Sequence, residues 1–140
     1  MTKEEVVDLI RDAGFGYLGT IEDNQPRVRP MMPYLNDDGE LLLALLSRSR
    51  TVSQIKRNPN VEVCFVDRKM CYCRIAATAK IIDDLEKKNI LFRNIPMLRQ
   101  YFSGPEDGNF ILVDIAPKCV EAMTPHSREP EIFDVADLKQ

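Results

Sequence analysis

The sequence has no tryptophan and only one histidine, His126. A hydrolytic triad needs an imidazole set between a nucleophile and a carboxylate. His126 lies in a proline-rich stretch with no such pattern, which argues against a hydrolase. Glycines are few, six in all, and none follows the spacing of a phosphate loop or a dinucleotide fingerprint. No apolar run approaches the roughly 20 residues of a membrane-spanning helix. The N-terminal MTKEEVVDLIRDAG is charged and amphipathic and does not read as a signal peptide, so a cytoplasmic location is expected. A net charge of -3 and a pI near 5.2 leave no excess positive charge for general nucleic-acid binding. The pairs Asp37-Asp38 and Asp83-Asp84 fit a turn and a helix cap better than an acid/base dyad. With catalytic groups this scarce, any chemistry falls to a cofactor.

What is present describes one ordinary globular domain over residues 1–140, with 44% hydrophobic and 29% charged residues. A chain of that length buries roughly 70% of its unfolded surface, enough for a self-sufficient core. The four cysteines are Cys64, Cys71, Cys73 and Cys119. Cys71 and Cys73 alternate on a predicted strand and face the same side. Structural zinc sites usually place about two to four residues between paired ligands, so these four read as core thiols and no metal site is expected.

Periodicity gives the elements. An amphipathic helix runs from Lys3 to Ala13, with Thr2 and Glu5 as a capping box and Gly14 as its stop. Strands follow over Phe15–Glu22 and Arg27–Leu35, joined by the turn residues Asp23-Asn24-Gln25-Pro26. Pro30 and Pro33 cannot donate ladder bonds, so the second strand must be an edge, be bulged, or open its backbone to a ligand. Asn36 to Gly39 is a hairpin turn. Glu40–Leu46 is almost continuously apolar, as expected of a strand buried on both faces. A helix over Thr51–Asn58 ends at Pro59. Val61–Asp67 and Met70–Asp83 are strands, and Asp84 caps a helix over Leu85–Asn94. A short helix over Met97–Phe102 precedes two strands, Asn109–Ile115 and Lys118–Thr124. The tail from Pro125 is charged and proline-rich, with Ile132, Phe133 and Leu138 able to dock. The sum is a mainly β (α+β) fold, an antiparallel barrel of six to seven strands with flanking helices. The apolar strands Leu41–Leu46 and Val61–Val66 look under-covered by these helices, which favours a dimer.

The most informative stretch is Ser47-Arg48-Ser49-Arg50-Thr51, where an apolar strand runs into a helix. Helix N-terminal N–H groups, hydroxyls and two guanidiniums there would suit an anion. Arg48, Arg50, Lys56 and Arg57 form a local basic patch with no carboxylate among them. The alternative is a solvated basic face. Arg29 has a similar alternative, an ion pair with Asp23 or Glu40 across a hairpin.

Several of these pieces recur together in one family. Gly19-Thr20, then Gln25-Pro26-Arg27-Val28-Arg29-Pro30-Met31, then the apolar strand, then Ser49-Arg50-Thr51 with Gln54-Ile55, and finally Asn58-Pro59-Asn60-Val61 resemble the pyridoxamine 5′-phosphate oxidase-like, FMN-binding split-barrel superfamily. Order and spacing match from Val6 to Met123. The resemblance implies a split barrel that forms a homodimer with FMN at the subunit interface. It implies that Arg27, Val28, Arg29, Pro30, Met31 and Met32 face the ring or phosphate, and that Ala44 and Leu45 adjoin the ring. Ser49, Arg50 and Thr51 would grip the phosphate, Gln54 would join the cofactor-binding set, and Tyr72 would approach the ring. Three positions depart from the family's usual residues: Thr51 for lysine, Leu45 for threonine and Tyr72 for glutamine. Arg48 could replace the missing charge. A deazaflavin or haem remains as an alternative ligand.

True pyridoxamine-phosphate oxidases carry a C-terminal segment rich in Arg, Trp and His, which the tail Thr124–Gln140 lacks. Vitamin B6 oxidation is therefore not implied. The resemblance points instead to the short nitroimidazole-resistance or general-stress type. The expected function is a flavin-dependent oxidoreductase acting on a small molecule, with no side chain needed as acid or base. The alternative is a non-catalytic flavin- or haem-binding module.

Overall fold

The computed structural model describes residues 1–140. Helix α1 (Lys3–Ala13) carries the expected capping box between Thr2 and Glu5. It leads into β1 (Gly16–Glu22) and β2 (Gln25–Met31). Asp23 and Asn24 between them both take positive φ, 49° and 66°, which gives the two-residue hairpin loop whose twist matches its strands. Then come β3 (Tyr34–Leu35), β4 (Leu41–Leu46), α2 (Arg50–Arg57), β5 (Asn60–Val66) and β6 (Tyr72–Ile82). After α3 (Leu85–Asn94) and a 3₁₀ turn over Pro96–Gln100, β7 (Phe110–Met123) crosses the sheet. A short β8 (Glu131–Phe133) and a second 3₁₀ turn, Val135–Leu138, finish the chain.

All strand pairings are antiparallel, in the order β2-β1-β5-β6-β7-β4-β3, with β8 added to β7. The sheet curls into a split barrel. Its two edges, β2 and β3, are consecutive in the chain and are joined only by Met32-Pro33. Pro26 and Pro30 remove two N–H groups from edge strand β2, which discourages strand addition there.

The core fills the curl. Val6, Val7, Leu9 and Ile10 of α1 pack on Leu18, Val63, Phe65, Cys73, Ile75 and Val120 from the sheet, and Val52 and Ile55 of α2 join the same cluster. Gly16 sits where a Cβ would lie 2.8 Å from Phe65 and from Val63, so β1 can approach β5 this closely only without a side chain there. A second cluster lies outside the barrel. Leu42 and Leu112 meet Leu91, Ile95, Leu98, Phe102 and Phe110, with the Phe102 and Phe110 rings stacked at 4.7 Å. Strand β4 is thus buried on both faces, Leu41, Leu43 and Leu45 inward and Leu42 outward.

Five expectations need correction. The turn after β1 is Asp23-Asn24 alone, since Gln25 and Pro26 already pair with Glu22 and Ile21 as the start of β2. The span Arg27–Leu35 is two strands, broken at Met32-Pro33 where the chain crosses the seam. The stretches Asn109–Ile115 and Lys118–Thr124 form one strand, because Ala76 pairs with Cys119 and Ala77 with Pro117, leaving Lys118 as a bulge that absorbs the proline. The strands Leu41–Leu46 and Val61–Val66 are largely covered within one chain, Leu41 to Leu43 being at most 2% exposed and Val63 0%, with Leu46 left 40% exposed. Other exposed apolar side chains include Tyr17 (45%) on β1 and Val28 (68%) on β2. The chain end is docked: Leu138 is 1% exposed in the main core, and the Gln140 N–H donates to the Asp37 carbonyl at 2.8 Å.

That docking sets a measurable cost. Leu138→Ala should lower unfolding stability by about 2–4 kcal/mol, read as a reduced urea midpoint at unchanged m-value. A loss under about 0.5 kcal/mol would show that the tail contributes nothing to the core.

Candidate functional site

The seam between the sheet's two edges opens into an apolar cavity of about 270 Å³. Pro30, Met31 and Met32 form one wall at the end of β2, where proline prevents the ladder from closing. Leu43, Ala44, Leu45 and Leu46 of β4 form the floor. Ser49 and Thr51 enter from the start of α2, and Met97, Leu98, Tyr101 and Phe102 close the outer side from the segment after α3. Beside it, a polar lobe of about 260 Å³ is lined by Ser47, Arg48, Ser49 and Asn109, and it shares Leu46 and Ser49 with the cavity. Ser47 Oγ donates to Asn109 Oδ1 at 3.1 Å and holds that lobe's rim.

Ser49 is the N-cap of α2, its Oγ accepting from the Val52 N–H at 3.3 Å. The N–H groups of Arg50 and Thr51 open the helix and have no carbonyl partner within it. Thr51 is buried at 7%, with its side chain on the cavity. The site therefore joins an apolar slot to a rim of hydroxyls, N–H groups and the exposed Arg48 guanidinium.

Behind this rim lies a polar network that the local sequence does not reveal. Arg29 turns inward, donating to the Leu18 carbonyl at 3.2 Å, to Thr20 Oγ1 at 2.8 Å and to Gln54 Oε1. Thr20 Oγ1 also donates to Gln54 Oε1 at 2.6 Å. Gln54, 4% exposed, passes the network on by donating Nε2 to Glu22 Oε2 at 3.1 Å. The other carboxylate oxygen of Glu22 takes Arg27 Nε and Arg50 Nη2, each at 3.2 Å. The hydrogen bond from Gln54 holds the Glu22 carboxyl below its usual pKa. Desolvation opposes the shift, and Arg50 and Arg27 reinforce it. Burial pulls the Arg29 guanidinium down from its ordinary value, with Glu22 opposing.

The structure gathers Pro30, Met31, Met32, Ala44, Leu45, Ser49 and Thr51 of the expected residues around one cavity. The Arg50 side chain is 77% exposed and pairs with Glu22, and Arg27 meets it through the same carboxylate; neither guanidinium lines the cavity. Val28 faces outward on the exposed side of β2. Arg29 and Gln54 lie in the network and not on the cavity wall. Neither Asp23 nor Glu40 pairs with Arg29; Glu40 is held by Lys87 at 2.7 Å instead. Tyr72 begins β6 and its hydroxyl donates to Met123 Sδ at 2.9 Å. Tyr72 does not line the cavity.

The outer wall, Met97 to Phe102, was missed by sequence reasoning. The i, i+4 spacing of Leu98 and Phe102 marks an apolar face, but nothing local says that the face turns toward the seam. Of the thiols, Cys73 is buried and its pKa is pushed up to about 12 by desolvation, and Cys71 packs against the core. Cys64 and Cys119 are only half-buried, on the other face of the sheet. No helix is long and apolar enough to cross a membrane.

A fold in which a split antiparallel barrel keeps an apolar slot at its seam and a capped helix at the slot's rim is that of the pyridoxamine 5′-phosphate oxidase-like proteins. The sequence profile of the pyridoxamine 5′-phosphate oxidase family matches residues 2–124, and the chain belongs to that family. It is 24% identical over 135 residues to general stress protein 26 of Bacillus subtilis (strain 168), covering 91% of this chain and 92% of that one. The crystal structure of general stress protein 26 from Bacillus anthracis superposes with a TM-score of 0.81 at 26% identity, over 94% of this chain and 96% of the other. Two more distant structures share the fold. One is a pyridoxamine 5′-phosphate oxidase-related, FMN-binding protein from Nostoc punctiforme (18% identity, TM-score 0.71, 92% and 85% coverage). The other is a heme-binding protein from Mycobacterium smegmatis (11% identity, TM-score 0.80, 99% and 60% coverage).

Gln54 is the residue on which the network turns. Gln54→Leu leaves Arg29, Thr20 and Glu22 each short of a partner and should destabilise the fold by about 2–4 kcal/mol in denaturant titration. A loss near zero would mean that water replaces the amide without cost.

Proposed function

We propose that the seam cavity holds the isoalloxazine ring of FMN, with the phosphate at the rim made by Ser49, Thr51 and the arginines beside them. The observation that carries this reading is the joining of an apolar slot to a cationic, hydroxyl-bearing helix start. Such a ligand must be flat and apolar at one end and anionic at the other. The donor set fits it. Met31, Met32, Ala44 and Leu45 supply apolar walls, and Ser49, Thr51 and the first N–H groups of α2 supply hydrogen bonds. Arg48 and Arg50 supply charge in place of the lysine that the family usually has at position 51. Arg29 supports the site from behind by fixing Gln54 and Thr20.

FMN would supply two-electron transfer between a donor and a small organic substrate, so the protein acts as an oxidoreductase. Its own side chains bind, orient and exclude water. The cavity walls offer no carboxylate, imidazole or ammonium to move a proton. We place the second half of the site on another copy of the chain. The exposed Tyr17 and Val28 on the outer sheet face give a surface for that copy.

The experiment is titration of the purified protein with FMN, followed by flavin fluorescence and absorbance. Binding should give a yellow protein that bleaches with dithionite, and Arg50→Ala should weaken binding by about 1.5–3 kcal/mol. A colourless protein that rejects added FMN defeats the reading, and a Soret band would move the ligand to haem. Light scattering should give twice the chain mass of 16.1 kDa. A monomer at micromolar concentration would remove the shared site.

A further inference from the structure

The guanidinium of Arg50 already has an anion. Glu22 reaches it from the end of β1, and the same carboxylate oxygen takes Arg27 at an equal 3.2 Å. The second oxygen takes the amide of the buried Gln54. Two guanidiniums and one amide converging on a two-oxygen anion is the donor set of a phosphate or carboxylate site. Here the chain fills it with its own side chain. The three cationic and amide donors come from two elements, β2 and α2, and Glu22 from a third, so their meeting is a property of the tertiary fold.

The two ends of this arrangement are unequal. Gln54 is almost wholly buried and cannot move without breaking the bonds to Arg29 and Thr20. The Arg50 side chain is 77% exposed, and Glu22 is its one ion-pair partner, whereas the Glu22 side chain is 27% exposed. An exposed guanidinium held by one carboxylate is worth little and exchanges readily for a better anion. Arg50 is flanked in the chain by Ser49 and Thr51, which both line the cavity, so the residue that Glu22 holds lies next to the rim.

We infer that Glu22 sets the phosphate affinity of this site by competing, as an internal anion, for Arg50. This rests on the FMN reading above only for the identity of the ligand. The competition itself concerns any phosphate at the rim. In the absence of ligand Glu22 holds Arg50 against β1. When a phosphate enters, Arg50 leaves Glu22, and Arg27 with Gln54 keeps the carboxylate satisfied. Glu22 thereby favours phosphate-bearing ligands less than the basic sequence around Ser49 suggests.

The test compares wild type with Glu22→Gln, which nearly keeps the shape, removes the charge and leaves one acceptor oxygen in place of two. FMN and riboflavin are titrated in parallel, since riboflavin has the ring and lacks the phosphate. Glu22→Gln should bind FMN about three- to tenfold more tightly, with riboflavin affinity unchanged. Weaker FMN binding in the variant would make Glu22 a positioning residue for Arg50 and overturn the inference. Equal gains for both flavins would overturn it too, because the phosphate would then be irrelevant. If neither flavin binds wild type or variant, the FMN reading fails, and inorganic phosphate decides the competition alone. A larger rise in melting temperature with phosphate for Glu22→Gln than for wild type supports competition, and equal rises refute it. Should Glu22→Gln fold poorly, Glu22→Asp, which keeps the charge and draws it back from Arg50, should show a smaller gain in FMN affinity of the same sign.

Discussion

One buried amide governs the geometry of the seam. Gln54 accepts from Thr20 and Arg29 and donates to Glu22, and it does so from inside a helix whose other residues, Val52 and Ile55, sit in the core. A polar group at that depth costs several kcal/mol unless every hydrogen bond is made, so the helix has few places where it can rest. The position that satisfies Gln54 also fixes Ser49 and Thr51 at the mouth of the cavity. Apolar packing alone would leave the helix free to slide by a fraction of a turn. The network removes that freedom and makes the rim a defined site.

The second constraint is the seam itself. A sheet of this size must either expose two edges or curl until they meet. Here the edges are β2 and β3, consecutive in the chain, and the prolines at 30 and 33 prevent their ladders from closing. The gap becomes a cavity because the second apolar cluster, built on Leu91, Leu98, Phe102 and Phe110, walls its outer side. A backbone defect in the sheet and a satellite core thus combine into one slot.

Electrostatics across the rim shows why local charge is a poor guide. Residues 47–57 carry four cations and no carboxylate, yet the fold brings Glu22 to Arg50 from 28 residues away. Arg27, which looks like part of the same basic stretch, shares that carboxylate. Net charge at the rim is therefore much nearer neutral than the sequence window suggests. What the fold leaves beside the cavity is Arg48 in the polar lobe and the first N–H groups of α2.

The amino-acid sequence by itself determined the helices with their caps, the turns after Glu22 and at Asn36–Gly39 and the antiparallel barrel class, which are local matters settled by side-chain period, turn chemistry and the positions of proline. The family was legible from its motifs, and that resemblance, not periodicity, put Met31, Met32, Ala44, Leu45, Ser49 and Thr51 forward as one set; the structure brings them around one cavity. Only the tertiary structure decided that Pro117 is absorbed by a bulge, that the tail docks through Leu138, and that Arg29 points inward to Gln54. It likewise decided that Met97 to Phe102 wall the cavity and Tyr72 does not, and that Glu22 meets Arg50. Each of these depends on which distant segments meet when the sheet curls. No window of neighbouring residues records that, because curl and register are fixed by the packing of the whole core.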